Sequence, residues 1–249
     1  MNPFFNTISS LRPYLTGVGS LEHTVKSVSF ILDGATAEAY SDSQLDDFHG
    51  RKRKEFVWRA PVTLTVRARF SHGQDQLRGT AGFGWWNAPF EGDQVSKTNV
   101  GPKVLWFFFG SPPSNLAATP GWSGNGWFAQ GLNVPTWPRW LIKLGMLALR
   151  LPLLKRLAHR TTKRATRAAE YSLNDLDITE WHDYRIEWRK KYADFWVDDE
   201  HIMRYKTPPK KPLALVLWMD NQWATLQDES GLLDIPHRQW MELTLKMED

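Results

Sequence analysis

Alternating apolar and polar positions mark two segments of the chain as strands with one buried face. From Val62 to Phe70 the apolar residues occupy every even position, and Thr or Arg fills each position between them. From Gln239 to Met247 a similar alternation returns. A period of two is the spacing of side chains on one face of a β-strand. The pattern therefore predicts strands that pack one face on a core and turn the other to water.

One further segment is apolar on both faces. Val104 to Phe109 is a continuous apolar run that contains four aromatic rings. Because no side chain in this run favours water, it predicts a strand that is covered on both sides. The alternate side chains, Trp106 with Phe108 or Phe107 with Phe109, would line a groove on one side and the core on the other. The pattern does not decide which pair takes which side.

Turn signals separate these and other strand-like runs. Asp33-Gly34 and Asp198-Asp199 favour tight turns, and Lys190-Lys191 joins two further strand-like runs. Many short strands with few helices predict an all-β fold, an antiparallel β-sandwich of the jelly-roll, concanavalin A-like type. With 249 residues, the chain is expected to form a single sandwich domain over residues 1–249.

Residues 135–170 depart from this pattern and predict a helical insertion within the sandwich. Trp140, Leu144 and Leu147 recur at steps of three and four, which is the spacing of one helical face. Pro152 interrupts the segment and is expected to divide it into two short helices.

The charge of this insertion differs from that of the rest of the chain. It carries nine Lys or Arg and no acid before Glu170, so the remainder of a chain with net charge +4 is mildly acidic. An amphipathic basic helix can lie on a membrane surface or hold a partner, or it can pack on its own sheet with its cations in water. Long apolar stretches between the cations, without a recognised nucleic-acid motif, exclude nucleic acid as the expected partner. The residues predicted to contact a membrane or partner are Trp137, Trp140, Leu144, Leu147, Arg150 and Lys155.

Composition limits the remaining chemistry. The chain has no cysteine, and its N-terminus lacks the basic cluster and apolar run of a signal peptide. The expected location is therefore the cytoplasm, at the inner membrane surface if the insertion docks there. The histidines are too scattered to form a zinc set, and no phosphate-binding glycine loop is present. We expect no metal site and no cofactor.

A polar pair ends a second apolar run, Leu213 to Met219. Asp220 and Asn221 follow this run directly. Within a strand, Asp220 would be buried, its pKa would rise, and it could act as a general acid or base. In a turn, the Asp-Asn dipeptide would be ordinary turn chemistry. Asp220 is therefore the predicted catalytic residue, with the turn as the alternative.

Fourteen tryptophans and thirteen phenylalanines are the most unusual feature of the composition. Aromatic rings bury large apolar areas and stack on flat ligands, so some are expected to line a groove and the others to fill the core. The predicted ligand-binding residues combine rings with two amides near strand ends: Trp85, Trp86, Asn87, Trp106, Phe108, Trp218, Asn221 and Trp223.

The segment that begins at Trp181 carries a more specific pattern. Its phrase "WHDYRIEW" fits W-H-x-Y-x-I-E-W, and "FWVDD" follows as an aromatic-Val-Asp hairpin before a Pro-containing link and the strand "LALVLWM". In these features the chain resembles a concanavalin A-like lectin/glucanase domain, and within that superfamily a laminarinase-type glycoside hydrolase. The resemblance implies two stacked antiparallel sheets with a concave groove on one of them.

The hydrolases of that family carry acids at alternate positions of one strand, because a retaining glycosidase needs two carboxyl groups about 5 Å apart. The strand in the corresponding place is "KVLWFFFG", which has no acid, and no Asp or Glu occurs from Gln94 to Ala169. We therefore expect a glycosidase-like scaffold without that hydrolytic pair.

Three functions follow from these observations. The leading one is a non-hydrolytic groove protein that binds an elongated apolar small molecule such as a lipid, polyene or terpenoid. It could act as an isomerase or cyclase, with the basic insertion docked on a membrane surface. The first alternative is a carbohydrate-binding or glycoside-hydrolase-like protein that acts on a glucan. The second is a structural protein that holds a partner with its basic helices.

Overall fold

The computed structural model describes residues 10–88, 101–118, 124–135, 167–225 and 229–248. These residues form two seven-stranded antiparallel sheets, which share one hydrophobic core and which we call sheet A and sheet B. The strands of sheet A, in spatial order, are β1 (Arg12–Thr16), β4 (Asp42–Asp46), β13 (Ala214–Asp220), β6 (Thr80–Trp86), β7 (Lys103–Gly110), β8 (Gly126–Asn133) and β9 (Ala169–Ser172).

Sheet B lies on the other side of the core. Its strands, in spatial order, are β12 (Glu200–Tyr205), β11 (Ala193–Val197), β10 (His182–Trp188), β5 (Val62–Phe70), β16 (Gln239–Glu248), β3 (Val28–Leu32) and β2 (Gly19–His23). A separate hairpin pairs β14 (Gln222–Ala224) with β15 (Ser230–Leu232), and a short 3-10 turn covers Arg53–Glu55. The predicted all-β antiparallel sandwich is thereby confirmed.

Aromatic rings from both sheets fill the space between them. Phe107 on sheet A lies 5.0 Å from Tyr184 and 5.7 Å from Phe195 on sheet B, measured between ring centroids. Trp85 contacts Trp188 across the same interface at 5.5 Å. All five side chains are fully buried. Burial of each such ring contributes about 1.5–3 kcal/mol, so this layer supplies much of the hydrophobic stabilisation.

The alternating pattern of β5 is confirmed by its neighbours. Val66 and Ala68 lie in the core between β10 and β16, while Arg67 and Arg69 project from the outer face of sheet B. Arg69 there pairs with Glu242 across the strands at 2.9 Å. The predicted turn at Asp198-Asp199 is also confirmed, since it joins β11 to β12 with positive φ at both residues.

Strand β7 shows why its run is apolar on both sides. Phe107 and Phe109 belong to the inner core, whereas Trp106 and Phe108 belong to a second hydrophobic cluster on the outer face of sheet A. The strand sits near the middle of the sheet between β6 and β8, so neither of its edges is exposed. This assigns Trp106 and Phe108, rather than Phe107 and Phe109, to the side where a groove was expected.

Most of the predicted helical insertion, residues 136–166, lies outside the described residues, and with it all six predicted membrane or partner contacts. At its C-terminal end the helical prediction is wrong, because Ala169 and Glu170 begin β9 and pair with β8. The single-domain prediction for residues 1–249 stays a prediction.

Within the described ranges, no helix has the length and apolar character needed to cross a bilayer.

Candidate functional site

The outer face of sheet A carries a continuous layer of aromatic rings, which we call the aromatic floor and define as Trp86, Trp106, Phe108, Phe128 and Trp218. The ring of Trp106 lies 6.3 Å from Trp86, 5.3 Å from Phe108 and 5.4 Å from Trp218. Phe128 contacts Phe108 at 5.3 Å. Trp86 and Trp106 keep part of their surface exposed, while the other three rings are buried.

Two glycines in the neighbouring strand make room for this layer. Gly82 and Gly84 occupy the outward positions of β6, directly opposite Trp218 and Val216 of β13. A Cβ atom at Gly82 would stand 2.4 Å from the carbonyl oxygen of Phe107 and 2.7 Å from the ring of Trp218. The large outward rings of β7 and β13 can therefore extend over β6, which supplies no side chain at these two positions.

Hydrogen bonds fix the orientation of two of the rings. Trp106 Nε1 donates to Gln130 Oε1 at 2.8 Å, and Gln130 Nε2 donates to the backbone oxygen of Leu116 at 3.1 Å. Trp218 Nε1 donates to Thr80 Oγ1 at 2.9 Å. Because the indole N–H groups are anchored, the ring planes cannot turn without losing a buried hydrogen bond.

A polar group of side chains lies at one end of the floor, where β4, β6 and β13 meet. Asp42 and Asp220 are directly opposite each other on paired strands, and both are almost fully buried. Thr80 Oγ1 donates to Asp220 Oδ1 at 2.8 Å, and the Tyr40 hydroxyl reaches Asp220 Oδ2 at 3.5 Å. The same hydroxyl forms a hydrogen bond with Asp42, so both carboxyl groups converge on one oxygen.

The electrostatics of this group follow from its burial. Burial raises the pKa of Asp220 to about 6, while hydrogen bonds from Thr80 and the backbone of Gln222 oppose the rise. Burial, followed by the nearby Asp220 and Asp42 carboxylates, raises the pKa of Tyr40 well above its usual value. Tyr40 therefore keeps its proton and acts as the hydrogen-bond donor of the group. A carboxyl with a pKa near neutrality is suited to proton transfer.

The expectation of a scaffold without the family's hydrolytic pair stays a prediction, but two acids on other strands lie on the same face of the sheet. No acid occurs in β7, as its sequence requires. However, Asp42 and Asp220 face each other on β4 and β13 of the same sheet face. Directly opposite residues have Cβ atoms about 4.5–5.5 Å apart, so these two side chains are neighbours on one face of the sheet. The strand position proposed for Asp220 holds, and the turn begins only at Asn221.

Other predicted ligand-binding residues lie away from the floor. Trp85 points into the core between the sheets, so the prediction that it lines a groove is wrong, because side chains alternate along β6. Asn221 is fully buried, and its amide bonds the backbone of Thr36, Ala39 and Ser41. Its amide thus holds surrounding loops together instead of facing a ligand.

Asn87 and Trp223 lie outside the aromatic floor, Asn87 at the end of β6 and Trp223 in β14. The Asn87 side chain accepts from the backbone N–H of Lys103 at 2.8 Å and donates to the Gly101 oxygen at 3.1 Å, so it closes the start of β7 against the end of β6. Trp223 is partly exposed in the β14–β15 hairpin, beyond Asp220.

Sequence reasoning missed several residues of the outer face. Phe48 and Phe56 join the floor from the segment after β4, with Phe48 5.2 Å from Trp86. Asp47 locks this segment in place, since its carboxylate accepts from Trp58 Nε1 at 2.6 Å and from the backbone of Leu215 at 2.9 Å. Burial raises the pKa of Asp47 to about 6. The run "LDDFH" gave no periodic signal, because it is where the strand ends and a loop begins.

The described side chains hold no group of three or more His, Asp or Glu residues that could bind a metal ion.

Taken together, the two antiparallel sheets, the aromatic floor and the buried carboxylate pair define a jelly-roll β-sandwich with a candidate ligand site on one outer face. Residues 158–230 match the family model described as Glycosyl hydrolases family 16. The resemblance to a glycoside-hydrolase-like domain is thus confirmed over the segment that includes β9 to β14. No curated protein sequence matches the chain.

Solved structures with a similar chain course include several carbohydrate-active proteins. One, from work on endo-acting O-glycanases of human gut bacteria, has 12% identity and a TM-score of 0.49, covering 97% of this chain and 93% of its own. A family 16 protein of Bacteroides ovatus, solved with a mixed-linkage glucan product, has 9% identity and a TM-score of 0.49, covering 93% and 85%. A laminarinase from Flavobacterium sp. has 9% identity and a TM-score of 0.46, covering 91% and 80%. Since these scores are low, the class of fold rests on the strands of this chain.

Proposed function

We propose that this chain is a carbohydrate-binding, glycoside-hydrolase-like protein that takes a glucan on the aromatic floor of sheet A. The observation that carries the proposal is the set of oriented indole rings on the outer face, in a chain whose residues 158–230 match family 16. Flat rings held in fixed planes are suited to stacking on the apolar faces of sugar rings. Trp86 and Trp106 are the two floor rings with exposed surface, so they are the proposed contacts.

Binding can be tested by calorimetric titration with oligosaccharides of laminarin and of mixed-linkage glucan. Replacing Trp106 with Ala should weaken binding about 30-fold, since loss of a central aromatic ring costs about 2 kcal/mol or more. The control is Trp240→Ala, which removes a partly exposed ring from the outer face of sheet B. Equal affinity of both variants and the wild type would contradict the proposed site.

Hydrolysis is the second candidate function, and the Asp42–Asp220 pair favours it. The two carboxyl groups converge on the Tyr40 hydroxyl, and the raised pKa of Asp220 suits a general acid. In this mechanism the Asp42 carboxylate would attack the anomeric carbon as the glycosidic C–O bond breaks, and Asp220 would give its proton to the departing oxygen. A water molecule that loses a proton to Asp220 would then cleave the glycosyl ester and free Asp42. The release of reducing ends from laminarin should then be lost in Asp220→Asn. Wild-type protein that binds glucan without releasing reducing ends would leave binding as the function and exclude hydrolysis.

The apolar-ligand function predicted from the aromatic content stays a prediction, and the family match does not favour it. Its membrane-docking part depends on residues outside the described ranges. Native mass spectrometry of the purified chain separates the two: a co-purifying lipid or terpenoid favours the apolar ligand, whereas a mass shift only after addition of oligosaccharide favours the glycan.

A further inference from the structure

Three side chains of neighbouring strands form one row across the outer face of sheet A. Trp106 of β7 is directly opposite Gln130 of β8, and Gln130 is directly opposite Glu170 of β9. Trp106 Nε1 donates to Gln130 Oε1 at 2.8 Å, and Gln130 Nε2 donates to Glu170 Oε1 at 2.7 Å. A ring of the aromatic floor is therefore linked through one amide to a carboxylate.

The carboxylate decides which way the amide of Gln130 is turned. A carboxylate only accepts hydrogen bonds, an indole N–H only donates, and an amide side chain does both. Gln130 Nε2 donates to Glu170 and, at 3.1 Å, to the backbone oxygen of Leu116, so both of its hydrogens are used. If the amide were turned over, its oxygen would face two acceptors and its NH2 group would face the N–H of Trp106. Because Gln130 is almost fully buried, bulk water does not reach it to relieve that mismatch.

Glu170 also holds the segment that supplies the second acceptor. Its Oε1 accepts from the backbone N–H of Ala118 at 2.7 Å. Leu116, in the same segment, packs against the rings of the outer cluster. Loss of the carboxylate would thus remove one acceptor of Gln130 Nε2 and release the segment that carries the other. Since hydrogen bonds to a carboxylate are stronger than those between neutral groups, Glu170 is the stronger of the two anchors.

The second central ring of the floor is held in the same manner. Trp218 Nε1 donates to Thr80 Oγ1, and the Thr80 hydroxyl donates to Asp220 Oδ1 at 2.8 Å. In both chains of hydrogen bonds, a neutral side chain joins an indole N–H to a carboxylate. On the Trp106 side, Glu170 is the first acid that follows β7 and β8 in the sequence.

We infer that Glu170 is a positioning residue for glycan binding, which acts through Gln130 to hold the Trp106 indole in the plane that stacks on a sugar ring. This inference rests on the proposed function and adds to it a residue that acts through another side chain instead of contacting the ligand. A ring that is already fixed loses less conformational freedom when the ligand binds, so affinity is higher. Without the carboxylate, the indole takes several orientations and the glycan must select one of them.

The test compares variants of Glu170 by calorimetric titration with laminarin oligosaccharides. Glu170→Met keeps the length of the side chain and removes the acceptor, so affinity should fall about 3- to 10-fold, the effect of ordering one freed side chain. Glu170→Thr is the second variant without the acceptor, since its side chain is too short to reach Gln130 and suits a strand. Glu170→Gln keeps an oxygen that can accept from both donors and should stay within about 2-fold of wild type. The control is Glu22→Met, which removes an exposed glutamate from sheet B.

A double-mutant cycle with Trp106→Phe separates positioning from direct ligand contact and from loss of packing. Phe has no N–H group, so the link to Gln130 is already broken in this background. Adding Glu170→Met should then change affinity by no more than about 2-fold. A further loss as large as the one in the wild-type background would overturn the inference.

A spectroscopic readout follows the same link in the free protein. The ¹H–¹⁵N signal of the Trp106 indole should move in Glu170→Met and keep its position in Glu170→Gln and Glu22→Met. If the wild type binds glucan but this signal or the affinity is unchanged in Glu170→Met, the positioning role is overturned and the proposed function stands. If the wild type binds no glucan, the proposed function fails, and a positioning role for a glycan fails with it.

Discussion

Replacing Asp220 with Asn tests whether burial makes ionisation of the Asp220 carboxyl group unfavourable in the folded protein. The structure raises the pKa of Asp220 from 3.8 to about 6 through burial. A carboxyl whose pKa is higher in the folded than in the unfolded state destabilises the fold once it ionises. The stability of the wild type should therefore fall between about pH 4 and about pH 6, by roughly 3 kcal/mol from this residue. Asn keeps the size and the acceptor oxygen but never ionises.

The assay is urea unfolding of wild type and Asp220→Asn from about pH 4 to about pH 8. Near the lower limit the two should be similar in stability, and near the upper limit the variant should be more stable by up to about 3 kcal/mol. Asp33→Asn, at an exposed turn, should show no such pH-dependent difference. A variant that is less stable than wild type by the same amount at every pH would refute the reasoning, because it would mean that the carboxylate is well solvated or paired.

Three further substitutions test the support of the floor and the hairpins. Gln130→Leu removes the acceptor of the half-buried Trp106 indole, so denaturant unfolding should show a loss of about 1–3 kcal/mol. Unchanged stability would argue against this anchor. Gly82→Ala places a Cβ against the Phe107 carbonyl oxygen and the Trp218 ring, so it should lower the free energy of unfolding by about 1–3 kcal/mol. An unaltered melting temperature would mean that the rings of the aromatic floor move aside without cost. Asp199→Gly relieves a positive φ of 64° in an exposed turn and should stabilise by about 0.5 kcal/mol or more, and a loss of stability would show that its contact with Arg185 dominates.

The strands were predictable where one face meets water and the other does not. In β5 the alternation of Val, Leu and Ala with Thr and Arg specifies both the strand and its buried face. In β7 both faces are apolar, so the run predicted a strand but not its orientation. The choice depends on Gly82 and Gly84 of β6, which leave space on the outer face only. Such information lies in a neighbouring strand and not in the run itself.

The site was predictable only in part, because its residues come from distant segments. Asp220 is recognisable as an acid that ends an apolar strand, but its partner Asp42 is fixed by the pairing of β13 with β4, across most of the chain. The same holds for Tyr40, whose hydroxyl reaches the carboxyl of Asp220, 180 residues further along the chain. Periodicity reports which face of a strand is buried, whereas these pairs depend on which strands become neighbours.

The most direct test of whether a glycan lies on the aromatic floor of sheet A is ¹⁹F NMR. Fluorotryptophan-labelled protein is titrated with glucan oligosaccharide, and each resonance is assigned with a single Trp→Phe variant. If a glycan binds there, the signals of Trp86, Trp106 and Trp218 should shift in a saturable way, while those of the core residues Trp85 and Trp188 should not. Shifts confined to Trp240 and Trp196 on sheet B, or none at all, would contradict it.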